Sequence, residues 1–147
     1  MNLGRLDTLI ENLQLLTQQR QTDDMLDIVK KHERELLDLN IAQMDEHGID
    51  ADGKRLRPYR NPFYAAKKRQ LNPRGVTDLH LTGATHRDMY MDTSGFPVAI
   101  DSLNPKAQKL KDDYGNIFGL TPANTEGQAK EILRPSVQEY YRGFLAV

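Results

Sequence analysis

The chain has 147 residues, 38% of them hydrophobic, with 20 Lys and Arg against 21 Asp and Glu and no Cys or Trp. Without cysteine there is no disulfide framework, thiolate zinc site, iron–sulfur cluster or Cys nucleophile. No cationic stretch followed by an apolar one opens the chain, and no apolar run approaches the ~18 residues of a membrane span, so neither a secretory signal nor a membrane location is expected.

The near-zero net charge conceals segregation. Residues 1–52 hold 12 acids and 5 bases, residues 53–77 hold 8 bases and no acid, and residues 78–147 hold 9 acids and 7 bases. Basic segments of that density call for acidic surface or phosphate nearby.

In chain order, Leu3, Leu6, Leu9, Ile10, Leu13 and Leu16 recur at spacings of three and four and predict a first helix over residues 3–19. A second helix is predicted from Asp23 or Asp24 to Glu46, with Thr22 as its N-cap and Gly48 at its C-terminal cap. Met25, Val29, His32, Leu36 and Leu39 form a seam on it, widened by Leu26, Ile28, Leu37 and Ile41. This first segment, residues 1–48, reads as a helical hairpin or bent long helix whose apolar face needs a partner.

Residues 49–75 read as a basic extended arm punctuated by Gly53, Pro58, Pro62, Pro73 and Gly75, with a short helix from Asn61-Pro62 to Arg69. Its bases are Lys54, Arg55, Arg57, Arg60, Lys67, Lys68, Arg69 and Arg74, interleaved with Tyr59, Phe63 and Tyr64. That composition suits phosphate contacts with stacking platforms. The preferred reading pairs these bases with Asp23, Asp24, Asp27, Glu33, Glu35 and Asp38 on an adjacent copy, because the chain carries its own acidic complement.

Residues 76–147 read as a small α+β domain. A strand is predicted at 77–81, a hairpin at 89–101 turning at Ser94-Gly95, a helix from Asn104-Pro105 to Tyr114, and a last helix opening at Asn124 or Thr125 and kinked or divided by Pro135. Tyr140 and Tyr141 on that helix join the seam as candidate subunit-interface residues. The fold class is α+β.

Chemical motifs are sparse. No Walker loop, dinucleotide fingerprint or nucleophile elbow occurs. His32-Glu33 begins like a zinc-protease helix, but Leu36 stands where the second His belongs. Asp45, Glu46, His47, Asp50 and Asp52 crowd the end of the second helix without the alternation of a calcium loop, and read as a solvated turn. His80 and His86, with Asp78 and Asp88 nearby, invite a hydrolytic or metal reading but show no nucleophile or third ligand. The expectation is therefore no enzyme, no metal and no cofactor.

One resemblance extends this reading. Asp78-Leu79-His80-Leu81-Thr82-Gly83, the hairpin from Met89 to Ile100, the helix from Lys106 to Tyr114, the element Tyr114-Gly115-Asn116-Ile117-Phe118-Gly119-Leu120 and the closing helix after Arg134-Pro135 resemble the head-to-tail connector and tail-completion (neck) proteins of tailed bacteriophages. Upstream, Asp52-Gly53, Tyr59, Tyr64 and Lys67 are similar to small virion proteins of the crAss-like phages. The resemblance implies a virion protein, assembled in the host cytoplasm, that forms a homo-oligomeric ring in the neck or tail. Its implied partners are copies of itself, portal, adaptor or tail proteins, and DNA passing through the lumen. The alternative is a nucleic-acid-binding module using the basic arm.

Overall fold

The structure is a computed structural model that describes residues 3–14, 18–80 and 83–145, with backbone only for residues 3–5 and 13. Leu16, Leu81 and Thr82, and the side chains of Leu3 and Leu13, lie outside the described residues.

Helix α1 spans Leu3–Gln14, α2 Gln18–Lys31 and α3 Glu33–His47. The single helix expected from residue 23 or 24 is thus two, and α2 starts earlier because Gln18, Gln19, Arg20 and Gln21 are all good helix formers. Thr22 is inside α2, where its hydroxyl donates to the Gln18 carbonyl at 2.9 Å instead of capping. The break falls at His32, with φ −101° and ψ 13°. Its imidazole reaches Glu35 Oε1 and Ser136 Oγ, each at 2.8 Å.

Gly48 ends α3 in the left-handed conformation, φ 59° and ψ 41°, its N–H donating to the Met44 carbonyl at 3.0 Å and the Ile49 N–H to the Gln43 carbonyl at 3.3 Å. A Cβ there would stand 2.8 Å from Val76 Cβ and 3.1 Å from the Thr77 carbonyl oxygen. Gly48→Ala is therefore expected to lower stability by about 2 kcal/mol, the left-handed strain of an L-residue plus the clash, read as a shift in urea midpoint at unchanged slope.

Residues 49–61 fold back onto the body. Asp50 Oδ1 accepts the N–H groups of Asp52 and Lys54, each at 2.9 Å, the Ala51 N–H donates to the Asn116 carbonyl at 2.8 Å, and the Leu56 N–H donates to the Gly48 carbonyl at 2.7 Å. Helix α4, Pro62–Leu71, follows as expected, Asn61 accepting the Phe63 and Tyr64 N–H groups. The basic stretch is thus packed onto the protein, not extended from it.

The strand predicted at 77–81 does not form over its described residues. Asp78 Oδ1 takes the His80 N–H at 3.0 Å and Leu79 adopts φ 57°, a local turn that removes both from a ladder. After α5, Ala84–Arg87, strands β1 (Met89–Asp92) and β2 (Ala99–Ser102) pair antiparallel with Met89 opposite Ser102 and Asp92 opposite Ala99. Their connection runs through six residues, longer than a tight Ser94-Gly95 turn, and Pro97 has no N–H to extend the ladder.

Helix α6, Ala107–Tyr114, ends where expected, at Gly115. Helix α7 is Pro122–Asn124, capped by the Thr121 hydroxyl, and one π-helical turn, Thr125–Ala129, joins it to α8, Lys130–Leu145. The last helix therefore begins ahead of Asn124, because Thr-Pro forms a cap with proline at the first helical position. Pro135 is accommodated inside α8 and does not divide it.

The architecture is α+β. Leu37 and Met44 from α3, Leu56, Met89, Ala107, Ile117 and Phe118 form one buried cluster, with Ile41, Leu79, Met91, Ile100, Leu110 and Tyr114 packed against it. One core thus crosses the stretches 1–48, 49–75 and 76–147. No described helix is long and apolar enough to cross a membrane.

Candidate functional site

The eight bases between residues 54 and 74 divide by environment. Lys68 is buried, its Nζ 2.7 Å from Asp78 Oδ1 and donating also to the His80 carbonyl. Arg57 lies 3.4 Å from Asp113 Oδ1 with its guanidinium 5.0 Å over the Tyr114 ring. Lys54, Arg55, Arg60, Lys67, Arg69 and Arg74 are exposed. Arg55, Arg57, Lys68, Arg69 and His47 line a cavity of about 490 Å³ whose described lining contains no acid.

The aromatics divide similarly. The Tyr59 hydroxyl donates to Asp78 Oδ1 and accepts from the Leu79 N–H, both at 3.0 Å, and its ring meets Tyr64 edge-on at 4.9 Å. Burial, then the Asp78 charge, pushes the Tyr59 phenol well above its ordinary range. Neither ring is a free stacking platform. Phe63, 87% exposed, is presented to solvent.

This follows from helix geometry. Phe63, Lys67 and Leu71 are spaced by four and share the outer face of α4, while Tyr64 and Lys68, one step on, face inward. Leu71 is 62% exposed, so two large apolar side chains bracket a lysine on one outward stripe.

The seam residues sit largely within the protein. Leu36 is buried, and Met25, Val29, His32 and Leu39 are half-buried. The surface that covers them includes α8 of the same chain: Ser136 meets His32, and the Tyr140 hydroxyl donates to Asp24 Oδ2 at 2.9 Å. The Tyr141 hydroxyl accepts from Gln21 at 2.8 Å, though its ring is exposed. Within one chain, His32, Tyr140 and Tyr141 of the expected interface set thus meet partners across α2, α3 and α8, while Val29 and Leu36 line an open groove. Of the six acids expected to face a neighbour, Asp24 meets Tyr140 and Glu33 Oε1 accepts the Met91 N–H at 2.8 Å. Asp23, Asp27, Glu35 and Asp38 are exposed along α2 and α3.

The structure also assembles a group that sequence reasoning left incomplete. Asp45 from α3, His80 from the turn after Asp78, and His86 from α5 present donor atoms all within 4.8 Å of one another. Asp45 Oδ2 is 3.2 Å from His80 Nδ1, Asp45 Oδ1 is 3.6 Å from His86 Nδ1, and the two rings meet edge-on at 5.0 Å. His86 is buried, and burial, opposed by the Asp45 charge, moves its pKa below the ordinary histidine value, favouring neutral imidazole. Asp78, the carboxylate expected beside His80, is instead surrounded by Lys68, Tyr59, Asn72 and the His80 N–H. Asp88 accepts from Asn104 at 2.9 Å. The missed member is Asp45, 35 residues from His80, whose only signal was the acidic crowd at the end of α3.

Compared with known proteins, the chain matches no family model, no curated protein and no solved structure.

Proposed function

We propose that this chain is a structural, non-enzymatic subunit that docks against copies of itself to form a ring, an adaptor between portal and tail components in the neck or tail of a tailed phage virion. The observation that carries the reading is the outward stripe of α4, where Phe63 and Leu71 stand in solvent on either side of Lys67, flanked by exposed Arg60, Arg69 and Arg74. An apolar anchor ringed by charge is the anatomy of an interface, and a folded body has no internal use for it. Its complement is the exposed acidic row Asp23, Asp27, Glu35 and Asp38 on α2 and α3. A patch on α4 that meets its complement on α2 and α3 of the next copy makes a head-to-tail contact, which closes into a ring when the rotation allows. The phage setting comes from the resemblance of residues 78–145 to neck proteins.

Sedimentation of the full chain should show a closed oligomer at low salt. Phe63→Asp or the triple variant Arg60→Glu, Lys67→Glu, Arg69→Glu should return it to monomer. Mixing that triple variant with Asp23→Lys, Asp27→Lys, Asp38→Lys protein should restore assembly. A wild type that is monomeric at every concentration, with no ring in micrographs, overturns the reading.

The acid-free cavity under the same segment favours a second reading, a nucleic-acid-binding module. There the chain would bind DNA as a monomer with an affinity falling steeply with salt, and the slope would drop by about one for each exposed base removed.

A further inference from the structure

We propose that Asp45, His80 and His86 form a binding site for one divalent transition-metal ion, zinc being the best fit, which fastens α5 and the preceding turn to the end of α3. The site is independent of the ring-forming surface above and of any catalytic role.

The argument begins with unmet polar groups. His86 is only 6% exposed, and both its ring nitrogens are buried without a hydrogen-bond partner, as is Asp45 Oδ1. Buried polar atoms in a folded protein are almost always satisfied, and leaving one unmade costs about 1–3 kcal/mol. Here three such atoms belong to two side chains that face each other. Replacing one of them by an apolar residue would still leave the other unsatisfied, whereas a cation shared between them solves the problem with the residues present.

Donor chemistry selects the ion. Two imidazoles and one carboxylate, with no thiolate and no array of carbonyls, suit zinc and its first-row neighbours and not calcium or magnesium. Around a tetrahedral zinc with bonds near 2.0–2.1 Å, adjacent donors lie about 3.3 Å apart. Asp45 Oδ2 is 3.2 Å from His80 Nδ1, Asp45 Oδ1 is 3.6 Å from His86 Nδ1, and all three donors lie within 4.8 Å of one another, so the side chains draw together on binding to complete the set. Neutral imidazoles with one carboxylate leave the bound site with a single positive charge. The nearby Lys68–Asp78 pair adds no net charge to it.

Space and access agree. A cavity of about 330 Å³ lined by Asp45, Asn72, Arg74, Asp78 and His80 opens on the His80 side, offering an entry path and room for water as the fourth ligand. Gly83 allows the approach, since a Cβ there would stand 2.9 Å from His80 Nε2.

The test uses tag-free full-length protein stripped with a chelator and then titrated with zinc chloride by calorimetry, with cobalt(II) absorption as a report on coordination. Wild type should bind one equivalent, melt at a higher temperature with zinc, and show the intense visible bands of tetrahedral cobalt. His80→Ala, at a half-exposed position, and Asp45→Asn should each weaken zinc binding by at least about tenfold and abolish the cobalt bands. His86→Ala adds a third arm, with circular dichroism checking that it folds. No saturable binding to wild type, or binding unchanged in His80→Ala and Asp45→Asn, overturns the proposal.

Discussion

Replacing Lys68 with alanine is expected to destabilise the protein by about 3–5 kcal/mol, the range for breaking a buried ion pair by removing one partner. The Lys68 and Asp78 side chains are 5% and 7% exposed, and the ammonium both pairs with Asp78 and donates to the His80 carbonyl. Three neutral donors, the Tyr59 hydroxyl, Asn72 Nδ2 and the His80 N–H, remain on the carboxylate after the substitution. They hold a charge that has lost its counterion. Burial works to raise the Asp78 pKa, but Lys68 and these hydrogen bonds overcome it and hold the value below the ordinary one, so the native group is an anion. Asp78→Ala should be similarly damaging, since it strands an ammonium. Lys68→Met combined with Asp78→Leu should recover part of the loss, because removing both charges also removes their desolvation cost. Urea unfolding followed by circular dichroism measures all three. A Lys68→Ala loss under about 1 kcal/mol would show that water reaches the pair and that the buried arrangement is wrong. The same variant separates structure from assembly: because Lys68 faces inward, a change in oligomerisation on its substitution would follow unfolding and not a lost surface charge.

That distinction was not legible beforehand. Eight bases in an acid-free stretch look equivalent in sequence, and only the facing of α4 separates Lys68 from Lys67. The partner of Lys68 lies ten residues on in a turn that reads as a strand, since Asp78, Leu79 and His80 alternate in polarity. What the pattern missed is the local bond from the His80 N–H to the Asp78 carboxylate, which competes with a ladder. The signals that carried through were those with a single local cause: glycine for the left-handed end of α3, Asn61 before Pro62 for α4, Gly115 after α6, and alternation for β1 and β2. In the seam of Met25, Val29, His32, Leu36 and Leu39, His32 meets Ser136 of α8. Periodicity reports that a face is apolar and not what covers it. Tyr140 and Ser136, more than 100 residues away, belong to the answer. The Asp45–His80–His86 group was hidden for the same reason, as its three members come from separate elements that only the fold brings together.

The second large effect is expected at Gln43, whose substitution by leucine should cost about 3–5 kcal/mol although the two side chains are close in size. Gln43 is 1% exposed and makes four hydrogen bonds across the chain. Its Nε2 donates to the Asp50 and Gly119 carbonyls at 3.2 and 3.0 Å, and its Oε1 accepts from the Thr121 N–H and Asn124 Nδ2 at 3.0 and 2.9 Å. One turn earlier, the fully buried Asn40 donates to the Ile117 carbonyl at 3.1 Å and accepts the Gly119 N–H at 2.9 Å. These two amides stand in for a third strand: they satisfy the backbone of residues 117–121, which has no ladder partner, from one face of α3. Leucine at 43 would leave several of those groups buried and unbonded, at about 1–3 kcal/mol each before relaxation. Gln43→Glu is the sharper variant. It keeps the shape and the acceptor but sets a carboxylate against two carbonyl oxygens, and should be at least as destabilising. Gln19→Ala, removing an exposed amide bonded to Asp23, is the control and should stay within about 0.5 kcal/mol. Because Thr121 also caps α7, loosening this contact frees the start of the helical run that continues into α8. Gln43→Leu should therefore bind a hydrophobic dye and aggregate at concentrations where the wild type does not. A Gln43→Leu protein with wild-type stability would mean that residues 117–121 find their hydrogen bonds elsewhere, and that α8 is held over α2 by its own packing alone.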